Sequence, residues 1–265
     1  MVEFKMFNLQ QILSEFKLKN TELLFKMIEQ MNISGFIEYP RVSEAVRNIR
    51  IEDFITMEMV ETFIPPDYNL PITDKIIKPI LTELFKIFYS NRPLPFYNNR
   101  IYGRSTGAPH IIVIMAQLLE INENDTVLIC GSKSGYFESI LQNIDKNVRV
   151  FIIEKVPQIF EITKGNLERI DATKDVKIIN ADPILSLDDL PIKEFDKILI
   201  TGYIHKLPEK IFKILTIGGL CVIPIGQLHQ QTLMRYFKTG KDMYDEEDCS
   251  RVIFSPLITE YNGKN

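Results

Sequence analysis

Only three cysteines and three histidines, and no tryptophan, stand among 265 residues. Cys130, Cys221 and Cys249 form no C-x-x-C pair, and His110, His205 and His229 are scattered along the chain. A disulfide framework or a structural zinc site draws on closely spaced ligands, so neither is expected, nor is any other metal site. A basic excess is also missing, with 31 Lys and Arg against 35 Asp and Glu for a formal charge of −4. Neutralising phosphates takes clustered lysines and arginines, and the chain has neither a basic stripe nor paired aromatics, so nucleic acid is not expected as a partner. No apolar run has the length of a membrane span. Charges interrupt the opening MVEFKMFNLQQILSEFKLKN throughout, which is unlike the apolar core of a secretory signal. The expectation is a cytoplasmic protein with no membrane partner. The missing tryptophan excludes nothing about the fold.

What is there is ordinary for a globular chain: 45% hydrophobic and 25% charged residues, over a length that allows one large core or a core with a small appended domain. Leu23, Leu24, Met27, Ile28 and Met31 recur at helical spacing, with Asn20 and Thr21 as N-cap candidates and Gly35 past the end. A second helix is expected around Ser43 to Asn48, before the run IEDFITMEMVETF, which Pro65 and Pro66 close. Residues 67–100 carry Pro71, Pro79, Pro93 and Pro95 around a helix expected over Asp74–Phe88, and the stretch near 56–88 reads as a peripheral insertion or lid. The pattern then changes. Thr126–Cys130, Val148–Ile153, Val176–Asn180, Lys197–Thr201 and Leu220–Pro224 are short runs rich in Val and Ile, separated by helical stretches at Tyr136–Ile144, Pro157–Ile170 and Pro208–Leu215. Strands covered by helices on both faces look like this. The expected fold is therefore α/β, a doubly wound, mostly parallel sheet over residues 101–265 behind an N-terminal helical segment over 1–100. Thr232–Lys238 and Arg251–Leu257 are expected to pair as an antiparallel edge, and Asp242–Asp248 to form a solvated acidic loop.

The chemistry gathers where the first parallel strand ends, at Gly131-Ser132-Lys133-Ser134-Gly135. A glycine bend between strand and helix lets a ligand approach backbone amides. Glu154 ends the second strand, 19 residues after Gly135, where an open α/β sheet places an acid for ribose hydroxyls. Together, Gly131, Ser132, Gly135 and Glu154 point to a bound nucleoside cofactor. Asp182, after the third strand and before Pro183, is either a turn former or an acceptor for an adenine amine. Asp196 at the start of the fourth strand reads as structural. His110 and His205 are open between lining a site and capping.

Several segments together resemble the protein-L-isoaspartate (D-aspartate) O-methyltransferase family. Ala108-Pro109-His110 and the helix after it are similar to the family's Ser-x-Pro-His-Met segment, and VLICGSKSGY at 127–136 to its first motif. Glu154 with Asn166-Leu167, the run 195–226 through Gly218-Gly219 and Pro224-x-Gly226, and Ile253-Phe254-x-Pro256-Leu257 follow its later motifs. Pro40-Arg41-Val42 and Pro93-Leu94-Pro95 resemble its N-terminal segment and its substrate-side loop.

The resemblance implies a fold of the S-adenosylmethionine-dependent methyltransferase type, with S-adenosylmethionine as cofactor, a protein or peptide substrate, and repair of isoaspartyl residues as the activity. Gly131, Ser132, Gly135, Glu154 and Asp182 would hold the cofactor. The departures fall at working positions. Gly107 stands where the family has its substrate-positioning serine, which leaves Ser105 or Thr106 to supply a hydroxyl, and Lys133 stands at the central glycine of G-x-G-x-G. The alternative implied by those changes is a catalytically degenerate homologue that serves as a binding or assembly module.

Overall fold

The computed structural model describes residues 8–261 apart from 66, 70, 99–102 and 173. The boundary expected at 100/101 therefore lies outside the described residues. The chain opens with helices α1 (Leu9–Lys19), α2 (Thr21–Ile33), α3 (Pro40–Asn48), α4 (Met57–Glu61) and α5 (Asp74–Tyr89). In α2 the side chains of Leu24, Met27, Ile28 and Met31 are buried, as the spacing predicted, while Leu23 faces outward. A short antiparallel hairpin follows, β1 (Pro95–Asn98) and β2 (Gly103–Ser105), then α6 (Pro109–Leu118).

From there strands and helices alternate: β3 (Thr126–Cys130), α7 (Tyr136–Gln142), β4 (Arg149–Glu154), α8 (Pro157–Arg169), β5 (Val176–Asn180), β6 (Phe195–Ile200), α9 (Glu209–Ile214) and β7 (Leu215–Gln227). Two long strands, β8 (Gln230–Gly240) and β9 (Met243–Val252), complete a seven-stranded sheet of order β5-β4-β3-β6-β7-β8-β9. The first five strands in that order are parallel and the last two antiparallel. This is the expected doubly wound α/β architecture, and each of the five apolar runs lies on one of its parallel strands.

Period-two alternation distributes the sheet's side chains between two hydrophobic layers. Val127, Ile129, Val150 and Ile152 face the layer shared with α1 to α8, while Leu128, Cys130, Phe151 and Ile153 face the layer under α9 and the 3-10 turn at Leu185–Asp189. Both layers are built of buried apolar side chains, which is why β3 and most of β4 read as unbroken apolar runs.

Two expectations are corrected. The acidic run Asp242–Asp248 is no loop: it forms most of β9, pairing with β8 from Gly240↔Met243 to Gln231↔Val252. Its carboxylates point to solvent along the sheet edge, and charge on an exposed edge strand discourages pairing with another chain. Only Arg251 and Val252 of the expected partner strand remain in the sheet. The following residues leave it, touching it again through the Tyr203↔Pro256 bridge. The second correction concerns α5, whose Ile77, Leu81, Leu84, Phe85 and Phe88 are buried in the main core. Phe88 meets Tyr136 edge-on at 5.4 Å, so the helix backs the glycine bend from behind and is neither peripheral nor a lid.

Candidate functional site at the mouth of the parallel sheet

Strands β3 and β6 are neighbours, yet the chain leaves β3 toward β4 and leaves β6 toward β7. Such a reversal opens a crevice at the carboxyl ends of the strands, where ligands of open α/β sheets bind. Gly131, Ser132, Lys133, Glu154, Thr201 and Gly202 border it, together with Arg104 from β2 and Ser255 to Ile258 of the C-terminal segment. The fold brings Gly131, Ser132 and Glu154 together at this one mouth. Gly131 has φ +87°, and a Cβ there would lie 2.8 Å from the Thr201 hydroxyl, so the bend requires glycine.

Both oxygens of Glu154 are engaged by backbone. Oε2 accepts from the Ser132 N–H at 2.8 Å and Oε1 from the Val156 N–H at 2.8 Å. Glu138, in the first turn of α7, accepts from the Lys133 N–H at 2.6 Å and the Ser132 hydroxyl at 3.0 Å through Oε1. Its Oε2 is buried without a partner among the described residues. Burial raises the proton affinity of both carboxyls, against the hydrogen bonds they accept.

Lys133 turns into this cluster and is 6% exposed. Its Nζ lies 5.5 Å from the centre of the Phe254 ring. Burial, then the neighbouring Arg104, pushes its amine down to about 8, with Glu138 and Glu154 opposing the shift. It stays charged at neutral pH. The space left in the mouth is about 10 Å³.

The remaining candidates separate. Gly135 is the left-handed N-cap of α7, φ +90°, packed against Leu167 and Phe54 on the far side of the bend. Asp182 accepts from the N–H groups of Ile184 and Leu185, each at 3.0 Å, as a turn former does. It also accepts from the Thr259 hydroxyl at 2.7 Å and the Glu260 N–H at 2.8 Å, and it pairs with Lys155 at 3.1 Å. Burial works against its charge, but the Leu185 and Glu260 N–H groups and the Thr259 hydroxyl hold the carboxyl well below the usual range. Thr106 is buried, its hydroxyl accepting from the Leu94 N–H at 3.1 Å and donating to the Gly107 carbonyl at 3.0 Å. Ser105 is half-buried at the end of β2, next to Arg104 of the mouth. His110 takes the carboxamide oxygen of Asn91 at its N–H and its ring, a capping role, and His205 sits outside the mouth against the Gly226 carbonyl. Asp196 is structural, accepting from the Thr126 N–H at 2.9 Å.

Sequence reasoning missed Glu138 and Arg104. An acid three residues after the N-cap Gly135, placed to reach back to free N–H groups, was a readable signal for Glu138. Arg104 had none: it reaches the mouth only because the hairpin folds onto the C-terminal segment, where its Nη2 donates to the Pro256 carbonyl at 2.8 Å.

This strand order, with helices on both faces and a glycine bend after β3, is an α/β architecture of the methyltransferase type. Residues 22–262 match the family described as Protein-L-isoaspartate(D-aspartate) O-methyltransferase, and the chain belongs to that family. It is 28% identical over 236 residues to the protein-L-isoaspartate O-methyltransferase of Staphylothermus marinus, covering 86% of this chain and 95% of that one. It is 34% identical over 164 residues to the enzyme of that name from Methanococcus maripaludis, covering 61% and 74%. Among solved structures, a Plasmodium falciparum protein assigned to the same enzymes, in complex with S-adenosyl-L-homocysteine, superposes with a TM-score of 0.63 over 88% of this chain and 96% of that one. At 18% identity that likeness speaks for the fold. Among the described residues, no helix is long and apolar enough to cross a membrane.

Proposed function

We propose that the chain is a protein carboxyl O-methyltransferase of the isoaspartate type, using S-adenosylmethionine on isoaspartyl residues of a protein or peptide. The observation that carries this reading is the family match over residues 22–262, on a scaffold that keeps a glycine bend and Glu154 at the same sheet mouth. A carboxylate acceptor with a pKa of about 4 is ionised at neutral pH, so the reaction calls for orientation and needs no general base. Ser105 is the hydroxyl of the Ser105–Thr106 pair left for an acceptor, since Thr106 is tied to Leu94 and Gly107. The cytoplasm, a reducing compartment, suits three cysteines that are all free thiols.

The mouth as it stands does not fit the cofactor. About 10 Å³ is room for one water, whereas small-molecule sites run to hundreds of Å³. The loop amides of Ser132 and Lys133 are bonded to carboxylates, and Asp182 is saturated by the C-terminal segment. That closure favours a second reading, a non-catalytic relative that keeps the scaffold as a binding or assembly module. Incubating the pure protein with labelled S-adenosylmethionine and an isoaspartyl peptide decides between them. Transfer of label is the expected result, and none above blank removes the activity.

A further inference from the structure

The closure of the mouth is built from a continuous set of contacts. Lys133 comes from the glycine bend, lines the crevice and is buried, its ammonium 5.5 Å from the centre of the Phe254 ring, with Arg104, Glu138 and Glu154 as its charged neighbours. Phe254 begins the segment 254–261 that runs across the carboxyl ends of the parallel strands. The Tyr203 N–H donates to the Ser255 carbonyl at 3.0 Å, and the Leu257 N–H to the Tyr203 carbonyl at 3.0 Å. Arg104 holds the Pro256 carbonyl, and Asp182 holds Thr259 and Glu260. Lys155 pairs with Glu260 at 2.8 Å. The segment presses so closely that a Cβ on Gly202 would lie 2.6 Å from the Leu257 nitrogen. At position 133 a glycine would put nothing into this space. The lysine puts in a four-carbon stem and a charge, and the charge seats an aromatic ring of the covering segment.

We propose that Lys133 is the specificity-determining residue of the mouth: it occupies from within the chain the room an adenosyl ligand needs and pins the segment 254–261 over it. Ligand entry then requires Lys133 to swing out and the segment to lift with it. This rests on the reading of the mouth as an adenosyl site. The contacts of stem and segment hold the closed state, not any preference of the charge for the interior, since burial lowers the amine's proton affinity and release into water restores it.

The test is calorimetric titration of S-adenosylhomocysteine into the wild type, Lys133→Gly and Lys133→Ala, with folding checked by circular dichroism, and hydrogen exchange of residues 254–261 in parallel. Lys133→Ala guards against loss of fold from added backbone freedom at 133. At least tenfold tighter binding by both variants, with faster exchange in the segment, is expected. Wild-type binding as tight as theirs overturns the proposal, as do folded variants that bind nothing. Label transfer by Lys133→Gly with Gly107→Ser keeps the two readings apart. Binding gained without transfer leaves the gate standing and removes the methyltransferase activity. Transfer by a wild type that binds as tightly as the variants does the reverse.

Discussion

Replacing Lys133 with methionine should stabilise the protein, although it removes a charge that sits among carboxylates. The surroundings bring the amine from an ordinary 10.5 to about 8, burial being the largest cause and Arg104 the next, so Glu138 and Glu154 do not repay the desolvation. At about 1.4 kcal/mol per tenfold change in proton affinity, the ammonium costs the folded state about 3 kcal/mol at neutral pH. Methionine keeps an unbranched apolar stem, one heavy atom shorter than lysine. Losing the attraction to the Phe254 ring offsets about 1 kcal/mol, which leaves a gain of about 2 kcal/mol and a rise in Tm of about 4–8 °C. The pH dependence fixes the cause. Between about pH 8 and pH 10.5 the unfolded wild type holds a proton that the folded one has released, so wild-type stability rises across that window and is level below it. The advantage of Lys133→Met should therefore be full at neutral pH and shrink steadily toward about pH 10. Urea denaturation of both proteins across that range measures the difference directly. A variant less stable than the wild type at neutral pH, or an advantage that ignores pH, would refute the reasoning.

Glu52→Ala should cost about 3–5 kcal/mol in urea denaturation, because the fully buried carboxylate accepts from Asn20, Tyr89 and Arg50 and its loss leaves the largely buried guanidinium without its paired carboxylate. Gly202→Ala should cost about 1–3 kcal/mol and raise hydrogen exchange in residues 255–260, since the new methyl meets the Leu257 backbone, which cannot yield as a side chain would. Unchanged exchange there counts against a tightly seated segment. The Asp182 carboxyl is held below its ordinary range, so the Thr259 and Glu260 contacts should persist on acidification to about pH 4 and weaken only as the pH falls further. Protection of the Glu260 amide against pH reads this, and an earlier loss means that Asp182 does not hold the segment.

Local patterning alone carried a large part of the outcome. The runs at 126–130 and 150–153 are buried on both faces because helices cover both sides, and that demand is written residue by residue into Val127, Leu128 and Ile129. The glycine bend and Glu154 were legible for the same reason: a positive φ and a strand-end acid are requirements of single positions. The acidic stretch of β9 was not legible. An edge strand with its carboxylates in water has no buried face to impose alternation, so only the pairing with β8 makes it a strand. Nor was the role of α5, whose helical pattern is plain but whose partner Tyr136 lies 48 positions beyond Phe88.

The site divides the same way. Sequence named the loop, the acid after it and the foreign lysine at 133, because each departs from or satisfies a local rule. Whether that lysine points to water or into the crevice depends on Phe254, Arg104 and Glu138, brought to it from other elements by the fold. Spacing along the chain fixes which backbone positions share a strand end. Only packing decides how much empty space is left between them, and here long-range contacts leave room for about one water.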